Sequence, residues 1–508
     1  MLHKQMLKNI IVFLLIAVLT ALAVVSCGGE NEETQRPDQA DNPGENGDDT
    51  EEDDAGDSAE VRILPDLEDT DWGGYVFTVL TNDWDGNGDW RDWRPRDIFA
   101  EEQTGNPLND AVYNRNATLE GRYNFTIVQL IQDEAGSFAR RVIQAGDTAF
   151  DSAALTMNNT IELAQNGMWV DLNTVRNIDL EKPWWDQGAN YGMSIGGKLF
   201  LTSGDFNLVS RDACPGLLFN KQLLADFQLE DPYALAHAGK WTLGKLYEMT
   251  RNGGADLNGD GLMEWEVDRF GLITQRDAVI AFLHGAGGRF TAKDSNDMPE
   301  WVFGNDRTFA VMDSVFDVML NEENVFNMHW APEPIYPKSE MMFQEDRGLF
   351  MWVRLRIVEN LRGMETDFGI MPMPWFDETQ GTWHHTVNRY TGHAMAIPMF
   401  HDDDELDRTG FILEAISAES KYTVIPAYYD VQLSTQIARD EESSDMLDII
   451  FSTTVWDTGE IYNWADFSGN LLNLIHTRNR NLASLWDRSE DRVQTMMQRT
   501  LDKYEELD

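Results

Sequence analysis

The sequence predicts an α/β protein whose core is two open sheets. Three observations carry this. Strand-like and helix-like stretches alternate in the order β-α-β-α-β from residue 75 to 165, and a second such region begins near residue 198. Apolar residues make up 42% of the chain, enough for a sizeable core. The chain has only two cysteines, Cys27 and Cys214, so the core must carry most of the body's stability. With about 450 residues after an acidic N-terminal stretch, two domains are the natural expectation.

Each element has its own signal. Tyr75 to Leu80 reads as a strand after the Gly73-Gly74 turn. Pro107 to Arg122 carries Leu108, Val112 and Leu119 at helical spacing, with Pro at the start. Tyr123 to Val128 predicts a second strand, Ser137 to Ala145 a helix, Phe150 to Leu155 a third strand, and Ile161 to Gln165 a helix. The second region runs from Lys198-Leu-Phe-Leu-Thr202 through Leu217 to Asn220 and on to Phe368. The C-terminal third is mostly helical, with amphipathic runs from Leu471 to Leu485 and from Ser489 to Tyr504; Ser489 is the expected N-cap of the last.

The N-terminus places the protein. Lys4 and Lys8 precede an apolar run from Ile10 to Val25, followed by small Ser26 and Cys27. That is a signal peptide over residues 1–26, shorter in its apolar run than the ~20 residues of a spanning helix; an uncleaved anchor helix is the alternative. Glu30 to Glu60 holds fourteen acidic residues and one Arg, with almost nothing apolar. Such a chain stays extended by self-repulsion, so residues 27–60 read as a tether. It contributes −13 of the formal −49, leaving −36 on the rest. A body this acidic is a poor partner for nucleic acid, which selects basic surfaces.

One loop has the opening of a calcium site. Asp256, Asn258 and Asp260 alternate before Gly261, the Leu262 carbonyl can add an oxygen, and Glu264 stands at the ninth loop position. The twelfth position, Val267, cannot close an EF-hand, although Glu266 and Asp268 flank it. A predicted helix precedes the loop and a predicted strand follows, so helix–loop–helix is not expected. The expectation is a structural Ca2+ brace; a solvated acidic turn is the alternative.

The residues also carry a family likeness. Val24-Val25-Ser26-Cys27 resembles a bacterial lipobox, which implies lipidation of Cys27. "FDSAALTMNNTIELAQNGMWVDLNTV", "GLLFNKQLLADFQLEDPYALAHAGKWTLGKLYEMT", "MFQEDRGLFMWV" and "DFGIMPMPWFDETQG" are similar, in this order, to segments of bacterial extracellular solute-binding proteins. The calcium-like loop also recurs in such proteins. The resemblance covers most of residues 70 to 508 and implies a type II periplasmic-binding fold with two α/β lobes, a hinge and an interlobe cleft. By analogy the first lobe takes residues 61–182 with 383–455, the second 183–382 with 456–508. It further implies a monomeric lipoprotein on the outer face of the cell membrane that delivers a carbohydrate to ABC permease subunits.

A sugar site needs aromatic platforms for C–H faces and polar groups for the hydroxyl rim. The chain holds 17 Trp. "NDWDGNGDWRDW" after the first strand offers Trp84, Trp90 and Trp93. Trp184 and Trp185 stand near an expected crossing between lobes, and Trp375 and Trp383 follow FGIMPMP. Trp456 and Trp464 lie near the third crossing, and Trp352 falls where the family resemblance implies a stacking Trp. The ligand-facing set expected from these is Trp84, Trp90, Trp93, Trp352, Trp383 and Trp464, with Asp205 of "TSGDFNL" as a polar cleft residue. For any single Trp the competing reading is a core residue. Several platforms favour an oligosaccharide over a monosaccharide.

Enzyme motifs are weaker. Gly192-x-Ser194-x-Gly196 is followed by a hairpin turn and not the helix a nucleophile elbow requires. Adjacent His384 and His385 point apart on a strand, and nucleotide-binding glycine motifs are absent. No catalytic residue is assigned. A secreted glycoside hydrolase and a carbohydrate adhesin without a transporter are the rival classes.

Overall fold

The computed structural model describes residues 62–83, 93–332, 337–361, 363–399, 402–433 and 441–507. Trp84, Trp90 and Cys27 lie outside the described residues. Residues from Arg62 onward form a compact unit of their own.

Two sheets organise that unit. Strands β1 (Tyr75–Asn82), β2 (Phe125–Gln132) and β3 (Ser152–Thr156) run parallel, with β1 between the other two. The second sheet takes β4 (Pro215–Asn220), β5 (Phe270–Thr274), β6 (Val325–Asn327), β7 (Gly348–Arg354) and β8 (Phe368–Met371), in spatial order β8-β4-β7-β5-β6. Within it β5, β6 and β7 are mutually parallel, while β4 runs antiparallel to β7 and β8. Strand β9 (His393–Ala396) returns to the first sheet, antiparallel to β3. This is an α/β architecture of two sheets joined by the segment between β8 and β9.

Local chemistry explains the elements. Strands covered by helices on both faces read as unbroken apolar runs, and β3, β4 and β7 are buried at every residue. The helix Pro107–Tyr123 begins with Pro at its first turn and the Asn106 side chain accepting from Leu108 N and Asn109 N. It stops where Asn124 turns left-handed at φ 52°. Helix Asp403–Tyr422 opens with a capping box between Asp402 and Glu405, and it packs on helix 107–123. Helix Phe467–His476 packs on Ala278–Gly285, beside the second sheet.

Two expectations need correction. No strand spans 198–202; that stretch makes only single bridges, Ile195 with Lys198 and Thr202 with Met395. The last helix starts at Leu482, capped by Asn481, whose side chain accepts from Ser484 N. Ser489 is therefore a buried mid-helix residue, because the small residue fits a packed face there and the true cap sits two turns earlier.

Candidate functional site

In open α/β sheets ligands gather beyond the C-terminal ends of parallel strands. Here both sheets present those ends to common ground. From the first, β1 ends at Asn82, whose Oδ1 accepts from Thr156 N at the end of β3 (3.0 Å). Trp93 and Asn158 follow these strands. From the second come Gln275 and Asp277 after β5, His329 after β6 and Arg354 at the end of β7. The segment 386–390, which links the sheets, runs between them.

Contacts cross this ground. The Arg354 guanidinium stands 5.3 Å from the centre of the Trp93 ring. Asn388 Nδ2 donates to Asp277 Oδ2 (3.3 Å) and Arg389 Nη1 to Asn158 Oδ1 (3.2 Å). Nearby, Arg96 reaches from the first lobe to Glu359 of the second (2.6 and 3.0 Å) and also to Asp212 (3.1 Å). The lobes thus meet here, and two cavities beside the Trp352 ring hold only about 10 and 20 Å³, roughly room for a water.

The electrostatics of the cleft are unfinished. Trp352 Nε1, Arg354 Nε and Glu460 Oε2 are buried without a hydrogen-bond partner, as is Asn327 Nδ2 at the end of β6. Buried polar atoms are nearly always paired in native proteins. Burial raises the Glu460 carboxyl to about 7, against the lowering effect of Arg389 3.5 Å away. Burial likewise lowers His329 to about 4, so it is a neutral ring at pH 7.

The sequence-predicted residues divide. Trp352 and Trp93 are brought to the cleft, both largely buried. Trp383 is half-buried and packs on Trp375 at 4.7 Å. Trp464 is inside the core, stacked on Tyr462, with its Nε1 donating to Thr500 Oγ1 (2.9 Å); it does not line the cleft. Asp205 lines a different, larger cavity behind the linking segments and pairs with Arg211 (2.6 Å). Trp184 and Trp185 are buried, and both indoles donate to Glu414 (3.1 and 2.8 Å). The sequence reading passed over Arg354, Asn388, Arg389 and Glu460. Arg354 ends an apolar run, and a lone charge where a buried strand ends was the available signal.

The acidic loop folds on its own hydrogen bonds. Asp256 accepts from Gly259 N and Gly261 N, Asn258 from Asp260 N, and Asp260 from Leu262 N (2.7–2.9 Å). Buried Asp268 accepts from Leu257 N and Glu264 N and closes the loop. These oxygens are of the kind calcium takes. Leu262 and Glu264 are exposed. Yet among the described residues no three His, Cys, Asp or Glu side chains converge as a metal site. The donor types fit calcium while their arrangement serves the backbone. A bridge between Ala255 and Arg269 joins the loop to β5, and no element reverses into a second helix.

Ser194 caps the end of helix Gln187–Met193 and bonds Asp297 Oδ1 (2.9 Å); Ile195 and Lys198 then form a hairpin through Gly196 and Gly197, both at positive φ. His385 Nε2 accepts from Met373 N (2.9 Å), and burial lowers the ring to about 3. His384 contacts Thr382 instead.

No protein-family model matches the chain, and no curated protein matches it. Solved structures do. The fold is similar to the ABC substrate-binding protein Lmo0181 from Listeria monocytogenes in complex with cycloalternan (TM-score 0.52, 11% identity, covering 84% of this chain and 99% of that one). It is similar to a cyclo/maltodextrin-binding protein complexed with maltotetraose (TM-score 0.53, 12% identity, 83% and 96%). It is also similar to an ABC transporter solute-binding protein from Agrobacterium radiobacter K84 in complex with ribitol (TM-score 0.50, 12% identity, 84% and 100%). The chain therefore has the two-lobed fold of ABC substrate-binding proteins.

Proposed function

We propose that the protein captures a carbohydrate, an oligosaccharide, between its lobes and delivers it to an ABC importer. One observation carries this reading. The C-terminal strand ends of both sheets face one cleft, and there Trp93, Trp352, Arg354, Asn388 and Glu460 offer aromatic faces beside unpaired polar atoms. Sugars need that pairing of flat apolar surface with fixed donors and acceptors. The fold neighbours, described as binding cycloalternan, maltotetraose and ribitol, support it. Capture works by closure: ligand bridging both lobes favours the arrangement in which they meet.

The remaining expectations belong to the same proposal. The chain is a monomer held outside the cytoplasmic membrane by a lipid on Cys27, and permease subunits receive its cargo. No described helix is long and apolar enough to cross a membrane. Calcium, if held by Asp256, Asn258, Asp260, the Leu262 carbonyl and Glu264, braces the loop and takes no part in capture.

The test is a thermal-shift screen of residues 62–508 against soluble oligosaccharides, with chromatography of the glycan afterwards. A ligand that binds only the folded state raises the melting temperature, by about 2.7 kcal/mol of stabilisation at a hundred times Kd. A shift with intact glycan is expected. Cleavage of the glycan would move the protein to the hydrolase class, and no shift with any glycan would remove the carbohydrate.

A further inference from the structure

A cavity of about 340 Å³ lies away from the cleft. The same backbone serves both. Ala213 and Pro215 face the small cavity beside Trp352, whereas Cys214 between them faces the large one; Val387 lines both. Ala213 closes the helix Leu208–Asp212 and Pro215 opens β4, with Cys214 between the two. The large cavity thus stands behind the segments that link the two sheets.

Its walls are built and fixed. Trp185 is held by its indole N–H on Glu414 (2.8 Å) and by Phe206 edge-on at 5.8 Å. Trp456 donates its N–H to Asp186 Oδ2 (3.0 Å). Both indole donors are therefore used, and what the rings offer an occupant is their carbon surface. Phe451 adds a third aromatic, with the Arg211 guanidinium 5.0 Å from its centre.

The polar groups are equally set. Arg211 pairs with Asp205 Oδ1 (2.6 Å), and its side chain remains 23% exposed while that of Asp205 is 7% exposed. Asp186 accepts from Ala189 N (3.0 Å) and Thr454 Oγ1 (3.2 Å) as well as from Trp456. Two carboxyls against one guanidinium leave the lining without excess positive charge, which disfavours an anion. Aromatic carbon surface with a carboxylate, a guanidinium and hydroxyls is the chemistry of a neutral polyhydroxy ring. The volume stands at the low end for small-molecule sites, enough for one ring and not a chain.

We propose that this rear cavity is a second binding site, for a single neutral hexose, distinct from the oligosaccharide cleft. An occupant there touches the linking segments and is placed to bias the balance between lobe arrangements.

Equilibrium dialysis of radiolabelled D-glucose, D-galactose and D-mannose against residues 62–508 tests it. Three variants separate the sites, each checked by a thermal melt. Ser452→Trp fills the mouth of the cavity from an exposed rim position, Asp205→Asn removes the carboxylate at nearly constant shape, and Trp352→Leu alters the cleft. One of the hexoses is expected to bind at one per chain with Kd near ~1 mM. That binding survives Trp352→Leu and weakens at least about tenfold in Ser452→Trp and in Asp205→Asn, the loss of a charge-assisted hydrogen bond. Binding lost in Trp352→Leu but kept in Ser452→Trp would assign the hexose to the cleft and overturn the second site. No binding of any of the three up to about ten times that concentration would overturn it as well.

Discussion

Glu414 is the sharpest place to test the energetics. It is about 1% exposed and accepts three hydrogen bonds, from Trp184 Nε1, Trp185 Nε1 and Asp179 N at 3.1, 2.8 and 3.3 Å. Two effects oppose. The donors favour the carboxylate, while burial disfavours its charge. Burial wins, and the pKa rises from 4.5 to about 7. Because the folded value is raised, the unfolded chain ionises first. The contribution is fully present below about 4.5 and is lost as pH rises towards and past 7. Such a shift is worth on the order of 3 kcal/mol. Glu414→Gln mimics the neutral acid and does not titrate. Melting temperatures of variant and parent, measured from pH 4.5 to 8, should therefore diverge in the variant's favour as pH rises. At about 2 cal/mol/K of unfolding entropy per residue, the change amounts to about 3 °C for a body of this size. A flat difference, or one moving in the parent's favour with rising pH, would show that the three donors prevail and refute the reasoning.

Three more outcomes follow from the placement of side chains. Trp352→Leu should weaken oligosaccharide binding by up to about tenfold by calorimetry, since the loss of an aromatic stacking surface costs about 0.5–1.5 kcal/mol; unchanged affinity would move the ligand away from β7. Trp464→Leu should lower the melting temperature through the cavity it leaves and the lost hydrogen bond to Thr500 Oγ1, at about 2–4 kcal/mol, and leave affinity within about twofold; the reverse pattern would restore Trp464 to the binding surface. Asp260→Ala should lower the melting temperature in calcium by more than in chelator, with affinity unchanged. An equal drop in both solutions would show that the loop needs only its Asx hydrogen bonds.

Strands β3, β4 and β7 were legible because buried strands read as apolar runs, whereas the short β6 and β9 carry no such run and were not foreseen. The helix 107–123 was legible from the helical spacing of Leu108, Val112 and Leu119. The rest depends on contacts distant in sequence. The Trp184-Trp185 pair looks like a ligand platform until Glu414, 230 and 229 positions away, claims both indoles. Trp464 sits among loop-like residues, yet its partner Thr500 lies on the last helix. Arg354 and Glu460 carry no local motif; what marks them is burial beside an unfilled polar cleft. Asp205 was expected in the ligand cleft; it lines the other cavity, paired with Arg211, a partner that no local pattern announces.

The central claim is that ligand is held between two lobes that close on it. Spin labels on Ala117→Cys in the first lobe and Ala225→Cys in the second occupy exposed helical positions, and the native Cys214 is buried. Pulsed dipolar spectroscopy of that pair, with and without the glycan that raises the melting temperature, reads the interlobe distance. The account predicts a distribution that shifts and narrows on saturation. A distribution unchanged by saturating glycan would contradict capture by closure.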